Sequence, residues 1–261
     1  MPKLTGERPV EGLTPDSLLA LHAAGYQAVV DRLGAGRVLD VGCGRGFESV
    51  RFGGLDRSVI GVDYDQGALV EATRRHGTMG LRLARMDAAK LGIAGSSVEW
   101  ACSSHLIEHF TEPEHHVSEL ARVLSADGSA FFLTPNAPAD FENPFHVHLF
   151  DAGSLGAILE RHFEDVWIGG IDALGWVKED FRRRRERAER VLALDVLDLR
   201  HRIPRSWYVA AYTRLLPIAY SLIARSDTGG STGIGAGDFF VTDEVDSTTL
   251  VLFAIARRPR R

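Results

Sequence analysis

Short apolar strand-like runs recur along the chain with helical or loop material between them, and this alternation limits the fold more than anything else in it. RVLDVG (37–42), SVIGVDYD (58–65), LRLARMD (81–87), VEWACSS (98–104) and GSAFFLTPN (128–136) are such runs. Strands linked by crossovers of this length predict a parallel sheet with helices wound over both faces. Ahead of the first run, Thr14-Pro15-Asp16 opens a helix-period pattern through Leu18, Leu19, His22, Tyr26, Val29, Val30 and Leu33, which Gly34 ends. EDVWIGGID (164–172) and TTLVLFAIA (248–256) are expected to close the sheet at its far edge. Between them lies an arginine-rich, helix-forming segment, 173–245, that a plain sheet does not need.

With 261 residues, 45% of them hydrophobic, the chain can bury a core of one domain, 1–261, with the 173–245 segment as an elaboration. MPKLTGERPV has no apolar signal region, and no stretch reaches the ~18 uncharged apolar residues of a membrane span, so the expectation is a soluble, cytoplasmic protein. Cys43 and Cys102 are too few for a disulfide framework or a zinc quartet and fit a reducing compartment. The net charge of -5 argues against a nucleic-acid partner, which needs a basic face.

In VLDVGCGRG the glycines Gly42, Gly44 and Gly46 let the backbone approach a ligand closely, and a helix is expected to follow with free N–H groups. Alone, the motif serves a nucleotide or is merely a tight strand-to-helix turn. Asp63 ends the second strand about twenty residues on, where a carboxylate can accept both ribose hydroxyls, and Asp87 ends the third. Each acid by itself equally suits a strand-terminating turn.

Together these motifs resemble the class I S-adenosylmethionine-dependent methyltransferases. VLDVGCGRG is similar to their first motif, GVDYD to their ribose-binding stretch, MDAAKLG to their adenine-facing motif and ARVLSADGSAFFLTPN to their fifth strand with the helix before it. The resemblance implies a doubly wound, seven-stranded, Rossmann-like α/β sheet with an antiparallel last strand, the 173–245 insertion falling between strands 6 and 7. It implies that S-adenosylmethionine is held by Asp40, Gly42 and Gly44 at its methionine end, by Asp63 with Tyr64 at the ribose, by Asp87 and Ala88 at the adenine, and by Ser103.

Six of the ten histidines stand between 105 and 148, four of them in SSHLIEHFTEPEHH (103–116) and two in NPFHVHLF (143–150). In a fold of this kind both segments leave strands at their carboxyl ends, where ligands of open α/β sheets bind. If His105 starts a helical turn, Glu108 and His109 share its face. Thr111 and Glu114 are expected to make a capping box around Pro113, and His115 and His116 to be solvated or half-buried surface. IEHF resembles the Glu-His turn of these methyltransferases, some of which hold a divalent cation with it and a later histidine. The candidate catalytic residues are therefore His105, Glu108, His109 and His146. The candidate metal ligands are the same four with His148, an imidazole-rich set that favours a borderline transition metal. A general base is the alternative use of the same groups.

FENPFHVHLFDAGSLGAILERHF resembles bacterial methyltransferases that act on sugars. The expected function is thus O-methylation of a sugar or glycan hydroxyl, with a small-molecule or oligosaccharide acceptor. A quinone or other small aromatic acceptor, and a non-catalytic cofactor-binding protein, are the other readings. Trp176, Trp207, Tyr208, Tyr212 and Tyr220 could stack on sugar rings or belong to ordinary packed helices, and RRRRER (182–187) reads as a solvated helix face. SDTGGSTGIGAGD (226–238) is a lid or a passive linker, so 173–245 is a candidate substrate lid.

Overall fold

The computed structural model describes residues 14–140, 143, 145–192, 207, 214 and 233–261. It divides into two compact units, one of Met1–His22, Phe141–Val147 and Ala173–Phe240, the other of Ala23–Asp140, His148–Asp172 and Val241–Arg261.

The second unit carries all of the sheet but Ala173, Phe239 and Phe240. Its strands are β1 (Gly36–Val41), β2 (Arg57–Asp63), β3 (Leu81–Arg85), β4 (Val98–Ser104), β5 (Leu124–Pro135), β6 (Phe163–Ala173), β7 (Phe239–Thr242) and β8 (Val251–Pro259), in the order β3-β2-β1-β4-β5-β8-β6-β7. β1 to β5 run parallel, and β8 runs antiparallel to both β5 and β6. The helices are α1 (Asp16–Val30), α2 (Gln66–His76), α3 (Pro113–Val123), α4 (Ala152–Leu159) and α5 (Gly175–Leu192). The alternating pattern thus gives the expected doubly wound α/β sheet with an antiparallel last strand. It has eight strands, not seven, because Phe239–Thr242 adds a short strand beyond β6.

The central strands are apolar on both faces because helices cover both. Leu39, Val41, Ala101, Ala130, Phe132, Leu252 and Ala254 join Ile107, Val117, Leu120, Leu155 and Leu159 in one buried core. A fully buried side chain of the Leu or Phe kind contributes roughly 1.5–3 kcal/mol. The strand order reverses between β1 and β4, which pair in parallel from Val38↔Trp100 to Val41↔Ser103. The glycine turn and SSHLIEHF therefore leave the sheet side by side, at the place where open α/β sheets bind their ligands.

Two local expectations fail. The glycine turn leads into a four-residue 3-10 helix, Ser49–Phe52, and not an α-helix, since Gly53 and Gly54 follow at once. α3 starts from Glu112 with Pro113 at its first position and no side-chain cap, so the Thr111–Glu114 capping box does not form. Glu114 turns instead to Arg161 and His162, at 3.1 and 2.5 Å.

In the first unit, Leu174 N donates to Asp238 O (3.1 Å) and Phe181 of α5 meets Phe239 edge to face. Arg182 and Arg183 pair with Glu179, and Arg184 with Asp180, so this part of RRRRER is a solvated face laced by i,i+3 and i,i+4 ion pairs. Trp176 is half exposed. Tyr208, Tyr212 and Tyr220 lie outside the described residues, as does most of the glycine-rich stretch. No helix among the described residues is long and apolar enough to cross a membrane.

Candidate active site

Gly42, Gly44 and Gly46 have φ of +79°, +54° and +72°, in the left-handed region that side chains with a Cβ rarely occupy. Their sequence spacing is therefore a backbone requirement. A Cβ on Gly42 would also stand 3.0 Å from Leu106 Cδ2, so the rim loop after β4 lies directly against the glycine turn.

Asp40 is fully buried beneath that turn. Its carboxylate accepts from Tyr26 Oη of α1 (3.2 Å) and from Ser49 Oγ of the 3-10 helix (2.5 Å). Burial pushes its pKa up to about 7, and the two hydroxyl donors pull the other way without cancelling it. Asp63, also buried, accepts from Gly44 N (2.9 Å) through one oxygen and from Asp65 N (2.8 Å) through the other. Asp65 in turn caps α2, accepting from Gly67 N and Ala68 N. The ribose candidate thus pins the glycine turn to the start of α2, with Tyr64 exposed beside it. Asp87 is exposed and accepts from Ala89 N (2.9 Å) in a tight turn that presents Ala88.

Left-handed glycines thus stand at the end of β1, over the buried carboxylates of Asp40 and Asp63.

Beyond β4 the expected helical turn begins later than His105. His105 itself has φ +49°, and the 3-10 turn is Ile107–His109. A non-glycine residue in the left-handed region is a strained placement of the kind found at functional sites. β5 over-determines it: His105 N donates to Leu133 O (2.8 Å), and the next residue, Thr134, donates its hydroxyl to Glu108 Oε2 (3.0 Å). Glu108 is buried, and its Oε1 stands 3.7 Å from His105 Nδ1, within ion-pair reach. His109 is half-buried on the same turn. His148 N donates to Glu108 O (3.0 Å), so the NPFHVHLF segment reaches this rim through its second histidine, whose ring stacks on Phe150. His146 belongs to the other unit, where its ring meets the Asn143 side chain (3.1 Å).

His116 departs most from expectation. It is fully buried, with Nε2 2.8 Å from Ser103 Oγ and Nδ1 3.1 Å from Ala88 O. Burial lowers its pKa to about 4. Its sequence signal is its position four residues before Leu120, on the helix's apolar stripe. The Ser103 hydroxyl is engaged by this ring. His115, as expected, is exposed.

Residues 39–132 match the model of a methyltransferase domain family. A probable S-adenosylmethionine-dependent methyltransferase of Mycolicibacterium smegmatis is 32% identical over 164 residues, covering 60% of this chain and 63% of that protein. One from Mycobacterium tuberculosis is 32% identical over 176 residues, 64% of each chain. The chain thus spans a little under two thirds of the length of these relatives. A crystal structure from Thermotoga maritima, described as an S-adenosylmethionine-dependent methyltransferase and possible histamine N-methyltransferase, shares the fold. Its TM-score is 0.58 at 15% identity, over 92% of this chain and 90% of that one. Over residues 39–132 the chain is thus similar to methyltransferase domains, and to probable S-adenosylmethionine-dependent methyltransferases in particular.

Proposed function

We propose that this chain is an S-adenosylmethionine-dependent O-methyltransferase whose acceptor is a hydroxyl of a sugar or glycan precursor. The observation that carries the reading is the contact of Leu106 with Gly42, which sets the His105–Glu108 pair next to the glycine cradle. The cofactor supplies an electrophilic methyl group on a sulfonium. What remains for the protein is to align a nucleophile and to remove its proton.

Gly42 and Gly44, with Asp40, Asp63 and Tyr64, and with the Asp87–Ala88 turn, hold and orient the cofactor. His105 takes the acceptor's proton on Nε2. Glu108, fixed by Thr134, orients the ring through Nδ1 and stabilises the imidazolium as it forms. The 3.7 Å separation is within ion-pair reach and longer than a hydrogen bond. A hydroxyl acceptor needs such a base because an alcohol is a very weak acid, whereas a neutral amine does not. His109 and His148 then serve as rim groups that hydrogen-bond the other hydroxyls of a polyol.

The same imidazoles and carboxylate have the donor chemistry to hold a divalent cation, which would acidify the hydroxyl directly. A methyl-transfer screen against a panel of sugars, glycans and small phenols, with and without EDTA, tests the proposal. Transfer to a sugar hydroxyl that EDTA leaves intact supports the base; activity abolished by EDTA and restored by a divalent ion moves the proton's acidification to a cation. Transfer only to phenols or amines contradicts the sugar reading.

A further inference from the structure

The segment 86–97, between β3 and β4, contributes neither helix nor sheet strand, yet it carries Asp87 and Ala88. One face of α3 holds it. His116, Glu119 and Arg122 recur every third residue and so share a side of the helix. His116 Nδ1 stands 3.1 Å from Ala88 O, and Glu119 Oε2 accepts from Leu91 N at 2.6 Å. Arg122 donates to Leu91 O and to Ile93 O, both at 2.9 Å, and its ion pair with Glu119 fixes the two together. Three side chains thereby satisfy four backbone groups of a segment with little ladder of its own.

His116 does more than its two neighbours. Its other nitrogen meets Ser103 Oγ at 2.8 Å, at the end of β4, and its ring lies flat on Phe110 with centroids 4.9 Å apart and planes 7° apart. Phe110 closes the loop that carries His105, Glu108 and His109. A carbonyl oxygen can only accept, so the hydrogen is on Nδ1, pointing at Ala88 O, and Nε2 accepts from the Ser103 hydroxyl. Only the neutral ring can make both bonds in this way. An apolar side chain at 116 would fill the volume but leave a buried carbonyl and a buried hydroxyl unpaired.

We propose that His116, as its Nδ1–H tautomer, is a positioning residue that ties the Asp87–Ala88 turn to the end of β4, and so keeps the adenine end of the cofactor site in register with the acceptor rim. The inference rests on the cofactor reading above. It adds a residue that touches neither cofactor nor acceptor and acts through the backbone of one and the loop of the other.

The test compares His116→Phe, which keeps ring stacking and loses both hydrogen bonds, with His116→Asn, whose amide N–H can still reach Ala88 O. Binding of S-adenosylhomocysteine is measured by calorimetry, and KM and kcat for S-adenosylmethionine with the best acceptor from the screen. His116→Phe is expected to weaken binding at least tenfold and raise KM by a similar factor, with kcat at saturation within about threefold. His116→Asn recovers most of the affinity. A folded His116→Phe that binds within twofold of wild type overturns the inference. Should that variant not fold, nitrogen NMR of the wild-type ring decides: the Nδ1–H tautomer supports the inference, and the Nε2–H tautomer or a charged ring overturns it. Failure of the wild type itself to bind S-adenosylhomocysteine removes the cofactor reading and this inference with it, whereas normal wild-type binding with an indifferent His116→Phe removes this inference alone.

Discussion

The hydroxyl of Tyr26 donates to the buried carboxylate of Asp40 across 3.2 Å, joining α1 to the strand end from which the glycine turn departs. Burial holds Asp40 near pKa 7, against about 3.9 in an unfolded chain. Between those values the native chain keeps a proton that the unfolded chain has released, so this residue's contribution to stability falls as pH rises from about 4 to about 7. Ligand binding runs the other way. If Asp40 holds the cofactor's ammonium group as proposed, its ionisation favours binding, so affinity for S-adenosylhomocysteine is expected to rise roughly tenfold between pH 6 and pH 8. Asp40→Asn should flatten both trends, as read by calorimetry and by denaturant unfolding across that range.

Gly42→Ala places a Cβ at φ +79° and presses it to 3.0 Å from Leu106 Cδ2. The backbone strain costs on the order of 1–2 kcal/mol. Since Leu106 follows His105, turnover should fall further than the loss of stability explains. A variant with lowered melting temperature but unchanged turnover per folded molecule would break the proposed link between turn and rim.

His116 titrates near 4 in the fold and near 6.5 unfolded. Its contribution is complete above pH 6.5 and is lost as pH falls from there towards 4, by roughly 2–4 kcal/mol in all. The difference in unfolding free energy between wild type and His116→Gln, followed through that window, isolates this limb from Asp40, which acts in the opposite direction. A constant difference would show that the ring is not buried and neutral.

Replacing His105 or Glu108 by Ala should lower turnover by about a hundredfold or more with cofactor affinity nearly unchanged, because the proposal has both groups act on the acceptor. Glu108→Gln keeps the Thr134 hydrogen bond and the shape, so a loss as large as that of Glu108→Ala assigns the effect to the charge. His109→Ala, His146→Ala and His148→Ala tested beside them apportion the rim. Full turnover in all five alanine variants would make the cluster structural.

The glycine turn was readable because left-handed backbone leaves its mark in residue type: Gly42, Gly44 and Gly46 stand where φ is positive. Likewise Asp63 closes β2, whose apolar run announces it, whereas Asp87 stands two residues beyond the end of β3 and not at it. His105 in a left-handed conformation leaves no such mark, since β5 holds it from 28 residues away through Leu133. The helix expected after the glycine turn failed because Gly53 and Gly54 stop it, a signal that the loop's resemblance to other nucleotide turns outweighed. His116 was misplaced because a histidine reads as polar, although its spacing to Leu120 already put it on the buried face. The short strand Phe239–Thr242 was hidden in a glycine-rich neighbourhood that reads as loop. The loop after β4 is the least legible part, for it is held by the end of β4, the carboxyl end of β5 and the segment around His148, three stretches whose meeting no local pattern encodes.

The most direct test of the account is calorimetric titration of S-adenosylhomocysteine into wild type and Asp63→Ala at pH 8. Asp63 holds Gly44 N and Asp65 N and is assigned the ribose hydroxyls, so its loss should cost on the order of 1–3 kcal/mol of binding, about a ten- to hundredfold weaker affinity, in a protein that remains folded. Saturable one-to-one binding to wild type that weakens in this way is the predicted result. No binding to wild type, or the same affinity in a folded Asp63→Ala, would contradict the account.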